Sequence, residues 1–303
     1  MRIAFCASLY EAGRPCLPAF CAALSRAAAG HDARLIAAVD GLAEPARALW
    51  PIVRHMPVEL HPVPAGATVA QVRCVLLAAA AASDCDVLVF ADMDDEIAPD
   101  AVGEHLEALA GADFSYGDMD LMDAGGALLD RRLFTGAAVP WRVETSEAIG
   151  ARNFLGLSNT AVRRASLPGA IFAMPADIGA ADWWLFTTLL GCRRKGARTG
   201  GAVGRYRLHA SSLLGAGAPA TPAAARFQLG LMARHYRAFR AAPAMAARLA
   251  ATQDAIEALA ATPASAVAAA LASMAGTPGV WFEHAGRLAD RLVAPAPPAR
   301  LAV

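Results

Sequence analysis

The sequence predicts an α/β protein with a doubly wound, mostly parallel sheet flanked by helices, followed by an alanine-rich helical extension. Short apolar runs alternate with helical segments over roughly the first two hundred residues, a rhythm typical of a parallel sheet. From residue 215 the composition changes to Gly, Ala and Pro, and then to Ala-rich segments punctuated by prolines. We therefore divide the chain into an α/β domain at 1–214, a linker at 215–222 and a helical extension at 223–303.

Length, charge and cysteine usage exclude several classes of protein. The 303 residues suffice for one large α/β domain with an appendage, and 27 basic residues balance 27 acidic ones, which gives no electrostatic case for nucleic acid. The longest apolar run, Val75 to Ala82, is far shorter than the roughly 20 residues of a membrane-spanning helix. We expect no signal peptide, and the six cysteines, which lack C-x-x-C pairs, predict reduced thiols in a cytoplasmic protein.

The individual elements follow from apolar runs of strand length and from longer segments with helix start and stop signals. Strands are predicted at Arg2–Ser8, Ala33–Val39, Val58–Val63, Val87–Ala91, Ala112–Tyr116, Leu128–Phe134 and Ala197–Leu208. Helices are predicted at Pro15–Ala29, Glu44–Val53, Thr68–Ala82, Pro99–Ala110, Ala180–Leu190, Ala223–Ala241, Ala244–Ala261, Ser265–Ala275 and Trp281–Val293. Asp118 and Asp120 are expected to be polar residues at the margin of the sheet.

A cluster of carboxylates directly follows the predicted strand Val87–Ala91. Burying unpaired carboxylates is costly, so they should lie at the open carboxyl end of the strand, where ligands bind in open α/β sheets. Asp92 and Asp94 alternate with Met93 and project to the same side of an extended chain. Two neighbouring oxygen ligands suit Mg²⁺ or Mn²⁺, either of which would carry a diphosphate.

This stretch resembles the Asp-x-Asp motif of GT-A glycosyltransferases, in particular the family 2 group, and the similarity extends from about Arg2 to about Leu214. The resemblance implies an inverting, metal-dependent transfer from a nucleotide-diphosphate sugar to a hydroxyl of a carbohydrate or glycolipid acceptor. Asp94 and His209 match the metal-binding positions, His209 within Tyr206-Arg207-Leu208-His209.

The same resemblance implies which residues hold the donor and remove the proton. The positions that match nucleotide- and diphosphate-binding residues are Tyr10, Asp40, Arg73, Asp92 and Arg207. Asp182 matches the catalytic base. The sequence departs from the family pattern where Gly41 follows Asp40, where Cys74 replaces an Asn and where Ala181 replaces a Glu.

Acceptor binding is predicted at two places. Asn159 and Thr160 lie in a segment of interleaved polar and apolar residues that, by the resemblance, faces the acceptor. Trp183 follows Asp182 and is predicted to pack its indole ring against a sugar.

Other interpretations of the sequence remain open. One is a nucleotidylyltransferase on a related fold, although the loop after the first strand lacks a Gly-rich phosphate cradle. Another is a non-catalytic protein that binds carbohydrate or nucleotide sugar. The first extension helix carries Arg226, Arg237 and Arg240 opposite an apolar face, which fits docking on the α/β domain or, less simply, peripheral contact with the inner face of a membrane.

Overall fold

The computed structural model describes residues 1–53, 55–208, 221–274 and 283–293 of the chain. Its described part contains one mixed, mostly parallel ten-stranded sheet. The strands are β1 (Arg2–Tyr10), β2 (Asp32–Asp40), β3 (Val58–Pro62), β4 (Val87–Phe90), β5 (Glu96–Ile97), β6 (Phe114–Met122), β7 (Leu128–Arg132), β8 (Arg142–Val143), β9 (Thr160–Arg163) and β10 (Gly196–Arg207). Their order is β3-β2-β1-β4-β9-β6-β10-β5, with β7 paired to β6 and β8 to β10.

Helices cover both faces of this sheet and continue into the C-terminal part. The helices are α1 (Leu17–Ala27), α2 (Pro45–Ala48), α3 (Trp50–Val53), α4 (Val69–Ala82), α5 (Ala101–Leu109), α6 (Glu147–Gly150), α7 (Ala181–Gly191), α8 (Pro222–Ala238), α9 (Pro243–Ala261), α10 (Ala264–Ala272) and α11 (Glu283–Val293). Two buried apolar clusters form the core, and each contains alternate residues of the central strands. The predicted fold class is confirmed.

One strand of the sheet's centre was not predicted. β9 lies between β4 and β6 and is antiparallel to both, while β1, β2, β4, β6 and β10 share one direction. Its four residues are too few for a clear alternating pattern, and only the neighbouring strands determine its pairing. Because β9 begins at Thr160, the segment before it lies against the carboxyl edge of the sheet, beside the residues that follow β4.

The extension packs on the α/β part through α7 and α8. α7 is buried on nearly all sides, and Leu231, Met232 and Tyr236 of α8 belong to the same apolar cluster. The arginines at 226, 237 and 240 are exposed, so the docked-helix interpretation holds for α8. The predicted linker lies largely outside the described residues. Among the residues that are described, we find no helix with both the length and the apolar character needed to cross a bilayer.

Candidate functional site

The acidic loop, residues 92–96 after β4, is fixed by polar contacts that reach it from other parts of the chain. Arg73 of α4 donates a hydrogen bond from Nη2 to Asp92 Oδ1 at 2.5 Å, and Ser158 Oγ donates to Asp92 Oδ2 at 3.2 Å. The Asp92 amide in turn donates to Ser158 Oγ at 3.2 Å. These contacts place Asp92 at the carboxyl edge of the sheet, as the strand-end position predicted.

Arg73 is the cation at the centre of this edge. α4 begins with a capping box in which Thr68 and Gln71 satisfy each other's backbone amides, which fixes the helix one turn before Arg73. Arg73 Nη1 donates to Ser8 Oγ at 2.9 Å, at the end of β1. Burial lowers the pKa of Arg73, but the carboxylates of Asp92, Asp182 and Asp94 outweigh burial and raise it. Arg73 therefore stays charged among three acidic groups.

Tyr10 and Asp40 end neighbouring strands at the same edge, since β1 and β2 pair Tyr10 with Asp40. The Tyr10 hydroxyl is hydrogen-bonded to Asp94, and burial followed by the charges of Asp94 and Asp92 raises its pKa. The Tyr10 amide donates to Met93 Sδ at 3.1 Å. The loop after β1 packs so closely here that a Cβ on Gly13 would lie 2.7 Å from Met93 Sδ.

Asp95 is a buried member of the acidic loop that the sequence analysis did not single out. Its Oδ1 accepts a 2.8 Å hydrogen bond from the Arg207 amide, and its carboxyl also bonds Ser158. Burial first, and then the charge of Asp94, raise the pKa of Asp95. The charge of Asp94 therefore acts on Asp95, and a cation nearby would relieve this repulsion.

The diphosphate role predicted for Arg207 does not fit its placement. Its side chain is buried, Nε donates to the Asp94 carbonyl at 2.8 Å, and Nη1 donates to the Ala124 carbonyl at 3.2 Å. Nη2 lies 3.4 Å from Glu96 Oε1. Arg207 thus ties the acidic loop to the turn after β6, because buried guanidinium donors bond to the nearest acceptors.

Asp182 occupies the first turn of α7 and is half-buried. Its Oδ1 accepts from the Trp183 amide at 2.8 Å, and its Oδ2 lies 3.4 Å from Asn153 Nδ2. Burial raises the pKa of Asp182 to about 6, although the Trp183 amide and the Arg73 charge oppose the rise. The charges of Arg73 and Asp92 therefore both act on Asp182. The resulting pKa of about 6 lies close to neutral pH.

The sugar-stacking role predicted for Trp183 is wrong for this structure. Trp183 is 0% exposed, donates from Nε1 to the Ile149 carbonyl at 2.9 Å and stacks on His235 at a ring distance of 3.9 Å. Trp184 is also buried and packs beside Phe239. Both indoles serve the core because His235 of α8 and Phe239 at its end pack against them.

Asn159 and Thr160 are also buried, and neither faces a cleft. Asn159 Nδ2 donates to the Gly117 and Phe154 carbonyls at 2.9 and 3.1 Å, while Oδ1 accepts from the Gly156 amide at 2.8 Å. Thr160 Oγ1 donates to the Gly156 carbonyl at 2.8 Å. Their side chains shape the turn before β9, which corrects the predicted acceptor role.

The two residues predicted to bind the metal ion are Asp94 and His209. His209 lies outside the described residues. Among the residues that are described, no group of three or more His, Cys, Asp or Glu side chains is arranged to hold a metal ion. Asp94 and Asp95 nevertheless form a pair of hard oxygen donors, which is the ligand type that Mg²⁺ and Mn²⁺ prefer.

Four residues that contact this site directly were not identified as site residues from the sequence: Ser8, Asp95, Asn153 and Ser158. Ser158 and Asp92 are 66 positions apart, and only the antiparallel insertion of β9 brings them together. Asp95 could have been found, because it lies within the acidic run.

Several solved structures share this fold. The mannosyltransferase PcManGT from Pyrobaculum calidifontis, in complex with GDP-Man and Mn²⁺, superposes with a TM-score of 0.59 at 15% identity, over 96% of this chain and 85% of that one. S. aureus TarS 1–349 with UDP-GlcNAc gives a TM-score of 0.55 at 14% identity, over 78% of this chain. This chain has the GT-A fold of glycosyltransferases.

The similarity is one of fold and not of sequence. This chain spans 65% of the length of TarS 1–349 and 40% of the longer TarS structure. Neither protein-family models nor curated proteins match the sequence.

Proposed function

We propose that this protein is an inverting, metal-dependent glycosyltransferase that uses a nucleotide-diphosphate sugar as its donor. The observation that carries the proposal is the grouping of Asp182, Arg73 and Asp92 beside Asp94 at the carboxyl edge of a GT-A sheet. Solved structures with the same fold contain UDP-GlcNAc or GDP-Man, which supports a donor of this class.

The proposed roles follow from charge and position. Tyr10 and Asp40 would contact the base and ribose of the donor, and the Arg73–Asp92 pair would lie beside its diphosphate. Asp94, with Asp95 next to it, would hold Mn²⁺ or Mg²⁺, together with His209 as implied by the resemblance. When bound, such a cation neutralises charge on the leaving diphosphate.

The proposed reaction is one displacement at the anomeric carbon. The Asp182 carboxylate takes the proton of the acceptor hydroxyl as that oxygen bonds to the anomeric carbon. The bond from the same carbon to the diphosphate oxygen breaks, and the nucleoside diphosphate leaves from the opposite face. Because no covalent intermediate forms, the anomeric configuration inverts. A carboxyl that titrates near pH 6 is ionised at neutral pH and still basic enough to accept a proton.

The donor assignment is tested by thermal unfolding with UDP-, GDP- and dTDP-sugars, each with and without Mn²⁺. A ligand at 100 times its Kd stabilises a protein by about 2.7 kcal/mol, which gives a readable shift. We expect a Mn²⁺-dependent shift with one nucleotide class, lost in Asp94→Ala and kept in Asp130→Ala, an exposed carboxylate of β7. An Asp94→Ala variant with unchanged Mn²⁺ dependence would contradict the metal assignment. A wild type that no nucleotide sugar stabilises would contradict the donor class.

A further inference from the structure

Asn153 is a buried residue whose side chain reaches Asp182 from outside the α7 helix. Asn153 is 0% exposed, and its Nδ2 lies 3.4 Å from Asp182 Oδ2. The other Asp182 oxygen, Oδ1, accepts from the Trp183 amide on α7 itself. The two oxygens of the Asp182 carboxylate therefore accept from two donors, Asn153 Nδ2 and the Trp183 amide, which come from separate parts of the chain.

The orientation of Asn153 is fixed by its own hydrogen bonds. Its Oδ1 accepts from the Leu155 amide at 3.1 Å, and its Nδ2 also donates to the Leu155 carbonyl at 3.0 Å. Because Asn153 Oδ1 accepts from the Leu155 amide, Nδ2 must be the atom that faces Asp182. A reversed side chain would place two donors against each other at the Leu155 amide, and two acceptors against each other at the Leu155 carbonyl and at Asp182.

The segment that carries Asn153 is held by α7 and by α8 of the extension. Tyr236 of α8 donates from its hydroxyl to the Gly150 carbonyl at 2.7 Å, and Trp183 Nε1 bonds the Ile149 carbonyl at 2.9 Å. Arg152, the preceding residue, donates to the Ala138 carbonyl at 2.6 Å. Asn153 therefore enters the site on a backbone with little freedom to move away from α7.

We propose that Asn153 is a positioning residue for the reaction, holding the Asp182 carboxylate ionised and turned toward the acceptor hydroxyl. This inference rests on the proposed role of Asp182 as the base. A hydrogen bond to the charged form of a carboxyl favours that form, and the effect is large where water is scarce. The 3.4 Å separation is long, as is common for catalytic hydrogen bonds before substrate is bound.

The first test needs no variant protein. In the full-length chain, the side-chain amide resonances of Asn153 and the carboxyl ¹³C resonance of Asp182 are followed by NMR from acid to alkaline pH. We expect one common midpoint near pH 6, because the amide senses the charge of the carboxyl it contacts. An Asn153 amide that does not change with the titration of Asp182 overturns the proposal, whatever the activity of the protein.

The second test uses Asn153→Asp, which keeps the acceptor for the Leu155 amide but replaces the donor with a like charge. We expect the Asp182 midpoint to rise by about one pH unit or more. Within the described parts of the chain, the other charged groups that act on Asp182 are Arg73 of α4 and Asp92 of the acidic loop, and neither is altered. Asn153→Ala, which removes the donor without adding charge, should raise the midpoint less, and it isolates the loss of the hydrogen bond from the effect of an added charge.

The matched control is Asn159→Asp, another fully buried Asn of the same segment with hydrogen bonds only to backbone. It should leave the Asp182 midpoint unchanged. A purely structural role for Asn153 predicts that Asn153→Ala loses stability without moving the Asp182 midpoint, and that result overturns the proposal.

Donor hydrolysis distinguishes a failure of this inference from a failure of the proposed function. The rate of UDP-GlcNAc or GDP-Man hydrolysis with Mn²⁺ is measured against pH, with donor affinity measured separately. We expect the acidic limb of the rate to move to higher pH in Asn153→Asp with donor affinity unchanged. Titration of Asn153 with Asp182 in a protein that hydrolyses neither donor would support the contact and count against the proposed function.

Discussion

On the acidic-loop side of the site, charged and polar side chains are held by one another: Arg73 bonds Asp92, Ser158 bonds Asp92, and Arg207 bonds the loop backbone. On the α7 side, the helix that carries the Asp182 carboxylate is held in place by aromatic rings packed behind it. Trp183 stacks on His235, and Tyr236 bonds the Gly150 carbonyl. The first side depends on the α/β domain alone, whereas the second depends on α8.

This difference explains why the two sides should respond differently to change. Burial lowers the pKa of His235 to about 3, so its ring is neutral and contributes through packing. Removing aromatic volume should therefore disturb Asp182 and leave donor binding intact. Removing the Asp92 charge from the acidic loop should weaken donor binding and, because that charge raises the pKa of Asp182, should also lower this pKa.

The largest effect on stability is expected for Trp183→Ala. Removing a large buried aromatic side chain typically costs about 3–5 kcal/mol in the free energy of unfolding, and here it also removes the stack on His235. Urea unfolding measures the loss, and Trp50→Ala, at a Trp that is 62% exposed, is the control. A Trp183→Ala variant as stable as the control would mean that α8 does not brace α7.

Asp182→Asn should lower transfer while leaving the acidic-loop side untouched. A general base contributes on the order of 10²–10⁴ in rate, so we expect at least about a hundredfold loss of transfer with donor affinity unchanged. Single-turnover assays with bound donor separate the two quantities. Full activity in Asp182→Asn would leave the base unassigned and favour the non-catalytic interpretation.

The raised pKa of Asp182 also predicts a pH dependence of stability. Because the folded-state pKa of about 6 exceeds the value of 3.8 for an unperturbed Asp, the folded protein binds the proton more tightly than the unfolded chain does. This contribution to stability is complete below about pH 3.8 and disappears as the pH rises to about 6. Two pKa units are worth about 3 kcal/mol, and partial exposure of Asp182 reduces the expected change to about 1–2 kcal/mol.

Unfolding of wild type and Asp182→Asn measured across this range isolates the effect. The wild type should lose stability relative to the variant as the pH rises from 4 to 6, in the window set by these two pKa values. A difference that is constant with pH would show that Asp182 is not desolvated.

The smallest effect is expected for Gly13→Ala, on the acidic-loop side. The added Cβ would meet Met93 Sδ at 2.7 Å and the Tyr10 ring at 2.9 Å. Overpacking costs about 1–3 kcal/mol, and the flexibility of Met93 favours the lower end. We expect about 1 kcal/mol lost and weaker donor binding. Gly103→Ala on α5, where a Cβ meets nothing, should be neutral or stabilising.

The order of most strands and helices could be derived from the sequence because it depends on local signals, whereas the short strands β5, β8 and β9 were not predicted. The apolar run of β4, the capping box before α4 and the carboxylates after β4 are each visible within a few residues. The position of Asp92 and Asp94 at the carboxyl edge also follows, because residues after a parallel strand lie at that edge. Arg73 was selected only by the family resemblance. Their chemical roles remain proposals.

Only the tertiary structure decided which polar and aromatic residues face the site. Asn153 and Asn159 lie six positions apart in one segment, yet one contacts Asp182 and the other bonds only backbone. Trp183 follows the candidate base but points into the core, because α8, some forty residues later, covers it. Burial of a side chain depends on what packs against it, and those partners come from distant positions that no local pattern specifies.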